Sequence, residues 1–239
     1  LALAHSLVEH PSLHASDLME RFNDWMQSGA YSCQGRCFDI GNTVRTALGR
    51  YLRDRNPLAG PTDDESSGNG ALMRLAPVMI RHWRDRSRMQ QAAELQTRTT
   101  HGSEATLKAS RIFAEMVADA IGGASLATIL QSEAVAEIDG DWRGQPRSTI
   151  RGSGYVVHSL QAAVWAVART TNFRSAILLA ANLGEDADTT AAIAGQLAGA
   201  IYGLQGIPRE WLDQLAWRGE IEALGVTLFD AGWAEGPAE

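Results

Sequence analysis

The chain has 239 residues, 45% of them hydrophobic, with seven Trp and a formal net charge of -7. That is enough apolar material for one sizeable core, and an acidic pI near 5.4 argues against nonspecific nucleic-acid binding. Charge or Gly interrupts each apolar segment short of the roughly twenty residues a membrane helix needs.

The first ten residues, Leu1 to His10, carry no initiator Met and no basic n-region. They are not a signal peptide and read as the middle of a helix whose beginning is absent. Ser16 is expected to cap the next helix, with apolar residues at 18, 19, 22, 25 and 26, which Gly29 ends. The loop after it holds Cys33 and Cys37. They read as reduced thiols of a cytoplasmic protein, with a small loop disulfide or half a metal site as alternatives. Asp39-Ile40-Gly41-Asn42 opens a helix over 43–53, and Asn56-Pro57 and Gly60-Pro61 break the chain. A polar loop over 62–70 leads into 71–80, where Pro77 is expected to kink or restart the helix. Helical spacing predicts further helices over 89–99, 103–120 and 125–136, then a long polar loop over 139–152. After it come 155–169, 173–182, 188–202 and a closing pair, 209–217 and 220–224, with 232–239 as a frayed tail. No segment alternates as a strand does, and no fixed-period repeat is present. The expected fold class is all-α, one domain over 1–231.

One stretch stands out. Gly184-Glu185-Asp186-Ala187-Asp188-Thr189-Thr190 lies between two apolar runs at a helix start. Desolvated carboxylates there need a cation or a set of hydrogen bonds. Hard ions such as Mg²⁺ or Mn²⁺ favour such oxygens. The alternative is a helix cap at Asp188 or Thr189, the other acids facing water.

Other loop-to-helix junctions share this character. They are Asp39-Ile40-Gly41-Asn42-Thr43, the run Ser66-Ser67-Gly68-Asn69-Gly70-Ala71-Leu72-Met73-Arg74, Thr100-His101-Gly102, and Gly152-Ser153-Gly154-Tyr155-Val156-Val157. With Gly184 to Thr190, five such motifs in order over 1–204 resemble the ADP-ribosylglycohydrolase family. The resemblance implies an orthogonal helical bundle with a binuclear Mg²⁺ or Mn²⁺ site at the mouth of a cleft. It also implies hydrolysis of the glycosidic bond between ADP-ribose and a protein side chain, arginine first among them.

Carried over by that resemblance, Asp186, Asp188 and Thr189 occupy an Asp-x-Asp-Thr metal motif, so the metal reading outweighs the cap. Asp39 matches an acid in the substrate cleft, for guanidinium binding or proton transfer, with a cap on the following helix as its structural alternative. Asn42 matches a substrate-contacting amide, and His101 a histidine lining the ADP-ribose cleft. Ser67, Gly68, Asn69, Gly70 and Met73 form one substrate-binding segment, whose Gly-rich turn can set backbone N–H groups against a diphosphate. Gly152, Ser153, Gly154 and Tyr155 form a second, with the Tyr155 ring against a sugar or base. The triplet Thr62-Asp63-Asp64 looks like the family's second metal motif but stands in the wrong place and reads as solvated loop. In the family that motif precedes the helix that here begins at Leu1, so the amino-side ligands are expected to be missing. If these residues are the whole molecule, weak metal binding and little turnover are expected. The expected partner is an ADP-ribosylated protein or an ADP-ribose-type small molecule. The alternative functions are an inactive ADP-ribose binder or structural paralogue, and a helical interaction domain whose acids are only caps.

Overall fold

Helical periodicity is realised throughout the computed structural model, which describes residues 1–236. Its fourteen α-helices are α1 (Ala2–Glu9), α2 (Ala15–Ser28), α3 (Asn42–Asp54), α4 (Gly70–Met73), α5 (Ala76–His82), α6 (Arg86–Thr100) and α7 (Glu104–Ile121) in the first half. The second half adds α8 (Leu126–Leu130), α9 (Glu133–Ala136), α10 (Val156–Ala168), α11 (Phe173–Ala181), α12 (Ala187–Tyr202), α13 (Arg209–Leu212) and α14 (Arg218–Glu235). Among the described residues no strand forms; one antiparallel bridge joins Gly68 to Tyr155. No described helix is long and apolar enough to cross a membrane.

The core gathers on α7, which packs against α4, α5, α6, α10 and α12. It buries Leu107, Phe113 and Met116 almost completely, each contributing on the order of 1.5–3 kcal/mol. On its far side α12 lies across α10 and α11, and its small residues Ala194 and Ala198 are fully buried beside Ile193 and Leu197. Side-chain caps start the long helices: Ser103 accepts the Thr106 amide and Asp85 the Arg88 amide. Such a cap is worth about 1 kcal/mol.

Several boundaries differ from the sequence expectation. Helix α2 begins earlier than expected, so His14, not Ser16, accepts the Asp17 amide. The segment 71–80 is two helices, because Pro77 sits in the first turn of α5, where a missing N–H costs nothing. The segment 125–136 also divides, Ser132 capping α9 afresh. The last helix is much longer than 220–224. Glu235, inside the expected tail, pairs with the buried guanidinium of Arg81 and also with Arg88, which holds the end of α14 against α5. Residues 237–239 of that tail lie outside the described residues. Cys33 and Cys37 are both free thiols.

Candidate active site

Four of the five junctions converge because their backbones are tied together, directly or through the 60–61 loop, while no backbone bond ties the Asp39–Thr43 junction to them among the described residues. The Gly60 amide donates to the Arg98 carbonyl, and the Gly102 amide to Pro61. The Asn69 amide donates to Gly154 and the Val156 amide to Ser67, which is the bridge between the two Gly-rich turns. The Asp186 amide then donates to Gly152 at 2.8 Å. Pieces distant in sequence thus share one frame, and backbone N–H groups that would otherwise be orphaned are satisfied within it.

That frame borders a cleft of about 680 Å³, a size suited to a small ligand. Of the expected site residues, Asp39, Asn42, Gly68, Asn69, Gly70, Met73, His101, Gly154, Asp186, Asp188 and Thr189 line it. Ser67, Gly152, Ser153 and Tyr155 do not. Ser67 is buried and its hydroxyl donates to Ser103. The Gly152 carbonyl is used by the Asp186 amide and the Thr190 hydroxyl. The Ser153 hydroxyl shares a hydrogen with His158, and the Tyr155 ring is exposed, meeting the His158 ring edge-on at 5.1 Å.

Asp39 is exposed and holds a positive φ of 49°, a conformation Asp tolerates better than most residues. It does not cap α3: Gly41 stands at that position, with no side-chain cap bond. At the start of α12 the cap alternative also gives way. Asp186 is the N-cap residue but makes no side-chain cap bond. Its Oδ2 instead accepts a 2.7 Å bond from the Asn69 side chain, which also donates to Ser159. Asp188 is exposed to the cleft, one Oδ accepting the Thr189 amide. Glu185 holds a positive φ of 55° and pairs with Arg151. Asp63 is exposed, as a solvated loop residue should be.

The donor set at α12 is two carboxylates and a hydroxyl within about one turn of backbone, at the N-cap and in the first turn, oxygens of the type Mg²⁺ and Mn²⁺ take. The orientation of Asp186 by Asn69 is what a ligating carboxylate needs. A separate cluster, Glu9, His10 and Asp17, also brings potential ligand atoms together. None of its members lines the cleft, and Arg21 holds both of its carboxylates, at 2.7 and 2.8 Å.

The glycine turn at 68–70 makes room for a buried ring, and of its three amides only that of Gly70, at the start of α4, has no acceptor among the described residues. The Gly68 amide is spent on Ser66 and the Asn69 amide on Gly154. A β-carbon on Gly70 would lie 2.9 Å from Cε1 of His101, so the absence of a side chain makes room for that buried ring. Burial, with the Arg74 guanidinium nearby, pulls the His101 pKa down to about 3. The unfolded chain then binds one more proton than the folded one between the ordinary histidine pKa of 6.5 and about 3. Stability contributed by neutral His101 is full above pH 6.5 and falls by roughly 1 kcal/mol per pH unit as the pH drops through that window. Urea unfolding of wild type and His101→Gln between pH 4 and 7 checks this, as the variant should show a shallower acid loss; parallel curves would refute it.

Sequence reasoning missed the aromatic walls of the cleft. Trp25, Tyr31, Phe38 and Trp217 all line it, brought in from α2, the loop after it and the turn before α14. Nothing local marks them, since apolar residues at helix ends look alike whether they face core or cleft. It also gave no role to His158 or Ser159, although both stand one turn into α10 from the Gly152–Tyr155 run.

Known proteins agree with this architecture. The family model for ADP-ribosylglycohydrolase matches residues 1–237. The chain is 38% identical over 238 residues to the ADP-ribosylarginine hydrolase Tri1 of Pseudomonas putida (strain GB-1), covering 96% of this chain and 64% of that protein. It is likewise 38% identical over 236 residues to Tri1 of Serratia proteamaculans (strain 568), again with 96% and 64% covered. Identity to the ADP-ribosyl-dinitrogen reductase glycohydrolase of Rhodospirillum rubrum is 32% over 223 residues, covering 93% of this chain and 73% of that one. A solved structure described as an ADP-ribosylglycohydrolase-related protein complex superposes with a TM-score of 0.81 at 34% identity, covering 97% of this chain and 78% of that one. The chain thus spans just under two thirds of the length of the two Tri1 relatives. By sequence match and by fold, it belongs to the ADP-ribosylglycohydrolase family.

Proposed function

We propose that this chain binds ADP-ribose and hydrolyses its glycosidic bond to an arginine side chain on a modified cytoplasmic protein. The observation that carries the reading is one cleft lined by Asp39 and Asn42 together with Asp186, Asp188 and Thr189. The naming of the 38% identical relatives as ADP-ribosylarginine hydrolases supports arginine as the modified residue.

Asp186, Asp188 and Thr189 would hold Mg²⁺ or Mn²⁺, which when bound supplies Lewis-acid polarisation of ribose hydroxyls and water. Asn69 keeps the Asp186 carboxylate turned into the cleft. Asp39 accepts hydrogen bonds from the guanidinium and orients the adduct. As water adds to the anomeric carbon and the carbon–nitrogen bond breaks, the Asp39 carboxylate passes the water's proton to the leaving nitrogen. Asn42 offers an amide to the substrate from the first turn of α3.

A second reading, ADP-ribose binding without turnover, is favoured by the donor count. Three protein oxygens at α12 suffice for one Mg²⁺ ion, which keeps several water ligands, but are few for the two ions the resemblance implies. The test pairs calorimetric titration with ADP-ribose and chromatographic assay of its release from an ADP-ribosyl-arginine peptide, with Mg²⁺ or Mn²⁺ added. The expected result is binding plus slow, metal-dependent release that Asp186→Ala/Asp188→Ala abolishes. Binding without release selects the second reading. Neither binding nor release overturns both and leaves the acids as elements of a helical interaction domain.

A further inference from the structure

His101 lies 2% exposed beneath the Gly68–Gly70 turn and lines the cleft. Behind it the hydrogen bonds run in one direction. The Arg74 guanidinium donates through Nε to the Gln96 side chain. Its NH2 donates to the Gln96 carbonyl at 3.0 Å and to the Thr100 hydroxyl at 2.7 Å. The same guanidinium stacks over Phe22, 4.6 Å from the ring centroid, and no carboxylate neutralises it among the described residues. Burial pulls it down to about 9, so it remains a cation, and a donor only, at neutral pH.

The direction of the next bond follows. The Thr100 oxygen already accepts from Arg74, and its single hydrogen has one acceptor within reach, Nδ1 of His101 at 2.8 Å. If Nδ1 carried the proton instead, two N–H groups would converge on the Thr100 oxygen and its own hydrogen would be left buried without a partner. A buried donor left unmet bears the full cost of its lost hydration. Nδ1 is therefore the acceptor, and the ring's proton sits on Nε2. That atom has no hydrogen-bond partner among the described residues yet is not fully buried, and it lies 3.2 Å from where the β-carbon of Gly70, itself a cleft-lining residue, would be.

We propose that Arg74 and Thr100 are positioning residues that lock His101 in the neutral Nε2–H tautomer, so that the cleft presents a fixed, uncharged donor to an acceptor oxygen of the ligand. The identity of that ligand as ADP-ribose rests on the function proposed above; the tautomer lock does not. An uncharged donor selects an oxygen that accepts without having to offer a proton, and its aim is set before the ligand arrives.

The test reads the lock and the ligand separately. Nitrogen-15 NMR of the wild-type chain, with His101→Gln to assign the ring, is expected to show a neutral Nε2–H imidazole from pH 5 to 8. Thr100→Val, of nearly the same shape, is expected to lose the single tautomer and to bind ADP-ribose roughly tenfold more weakly, equivalent to about 1.4 kcal/mol. Thr100→Ser, which keeps the hydroxyl, should restore both, as a purely space-filling role for Thr100 would not. A wild-type ring protonated at Nδ1, or a Thr100→Val ring still fixed as Nε2–H with unchanged affinity, overturns the proposal. If Thr100→Val does not fold, the wild-type tautomer and the Thr100→Ser spectrum still decide it. Wild type that shows the expected tautomer yet binds no ADP-ribose would overturn the proposed function and leave the lock standing.

Discussion

Asp39→Asn is expected to reduce release of ADP-ribose from an arginine adduct by roughly 10²–10⁴-fold, the usual range for removing a proton-transferring group. The same change should leave the unfolding free energy within about 0.5 kcal/mol of wild type. The physical grounds are separable. The carboxylate is exposed, so little packing depends on it. Its backbone holds φ at 49°, which Asn accepts as readily as Asp. Because Asp39 does not cap α3, the helix loses nothing. The substitution therefore removes charge without removing shape. ADP-ribose affinity should also hold, since Asp39 is assigned to the guanidinium side of the bond. Initial-rate assays alongside calorimetry measure both; a variant with wild-type turnover would take Asp39 out of the mechanism.

Gly60→Ala is expected to be the most damaging single methyl group near the site. A β-carbon there would lie 2.4 Å from the His101 amide nitrogen and 2.7 Å from that of Gly102. These are backbone atoms, and the segment carrying them is held by the Gly60–Arg98 and Gly102–Pro61 bonds. Relief requires moving the end of α6 away from the Pro61 loop. The expected cost is about 1–3 kcal/mol, as for other overpacked sites, each kcal/mol lowering Tm by about 2–4 °C in a chain of this length. Because His101 rides on that segment, ADP-ribose affinity should fall with stability. Gly70→Ala is the informative contrast: its methyl would meet only the edge of the His101 ring, 2.9 Å from Cε1, and a side chain can tilt where backbone cannot. That variant should lose affinity with the smaller loss of stability. Thermal melts and titrations of the two proteins decide the order, and equal stability of Gly60→Ala and wild type would show that the packing there is softer than drawn.

The fold was legible in the chain to the degree that local chemistry controls it. Apolar spacing in 103–120 became α7, and Pro77 restarted a helix because its ring is compatible only with a first turn. Boundaries failed where a distant partner decided them. Glu235 extends α14 because the buried Arg81 needs a carboxylate, and no feature of residues 220–239 alone announces that need. Another boundary moved for a local reason: α2 starts one residue before Ser16, so His14 takes its cap.

For the site, the amino-acid sequence by itself determined which residue types collect at helix starts. Carboxylates, amides and glycines favour those positions for local reasons, and their order along the chain carried the family resemblance. Only the tertiary structure decided what each one does there. Asp186 is turned toward the cleft by Asn69, more than a hundred residues away in sequence. The glycines at 68–70 make room for His101, and the proton on that ring is placed by Arg74 through Thr100. Hydrogen-bond direction and steric room depend on atoms brought together from separate helices. Spacing along one segment cannot encode them.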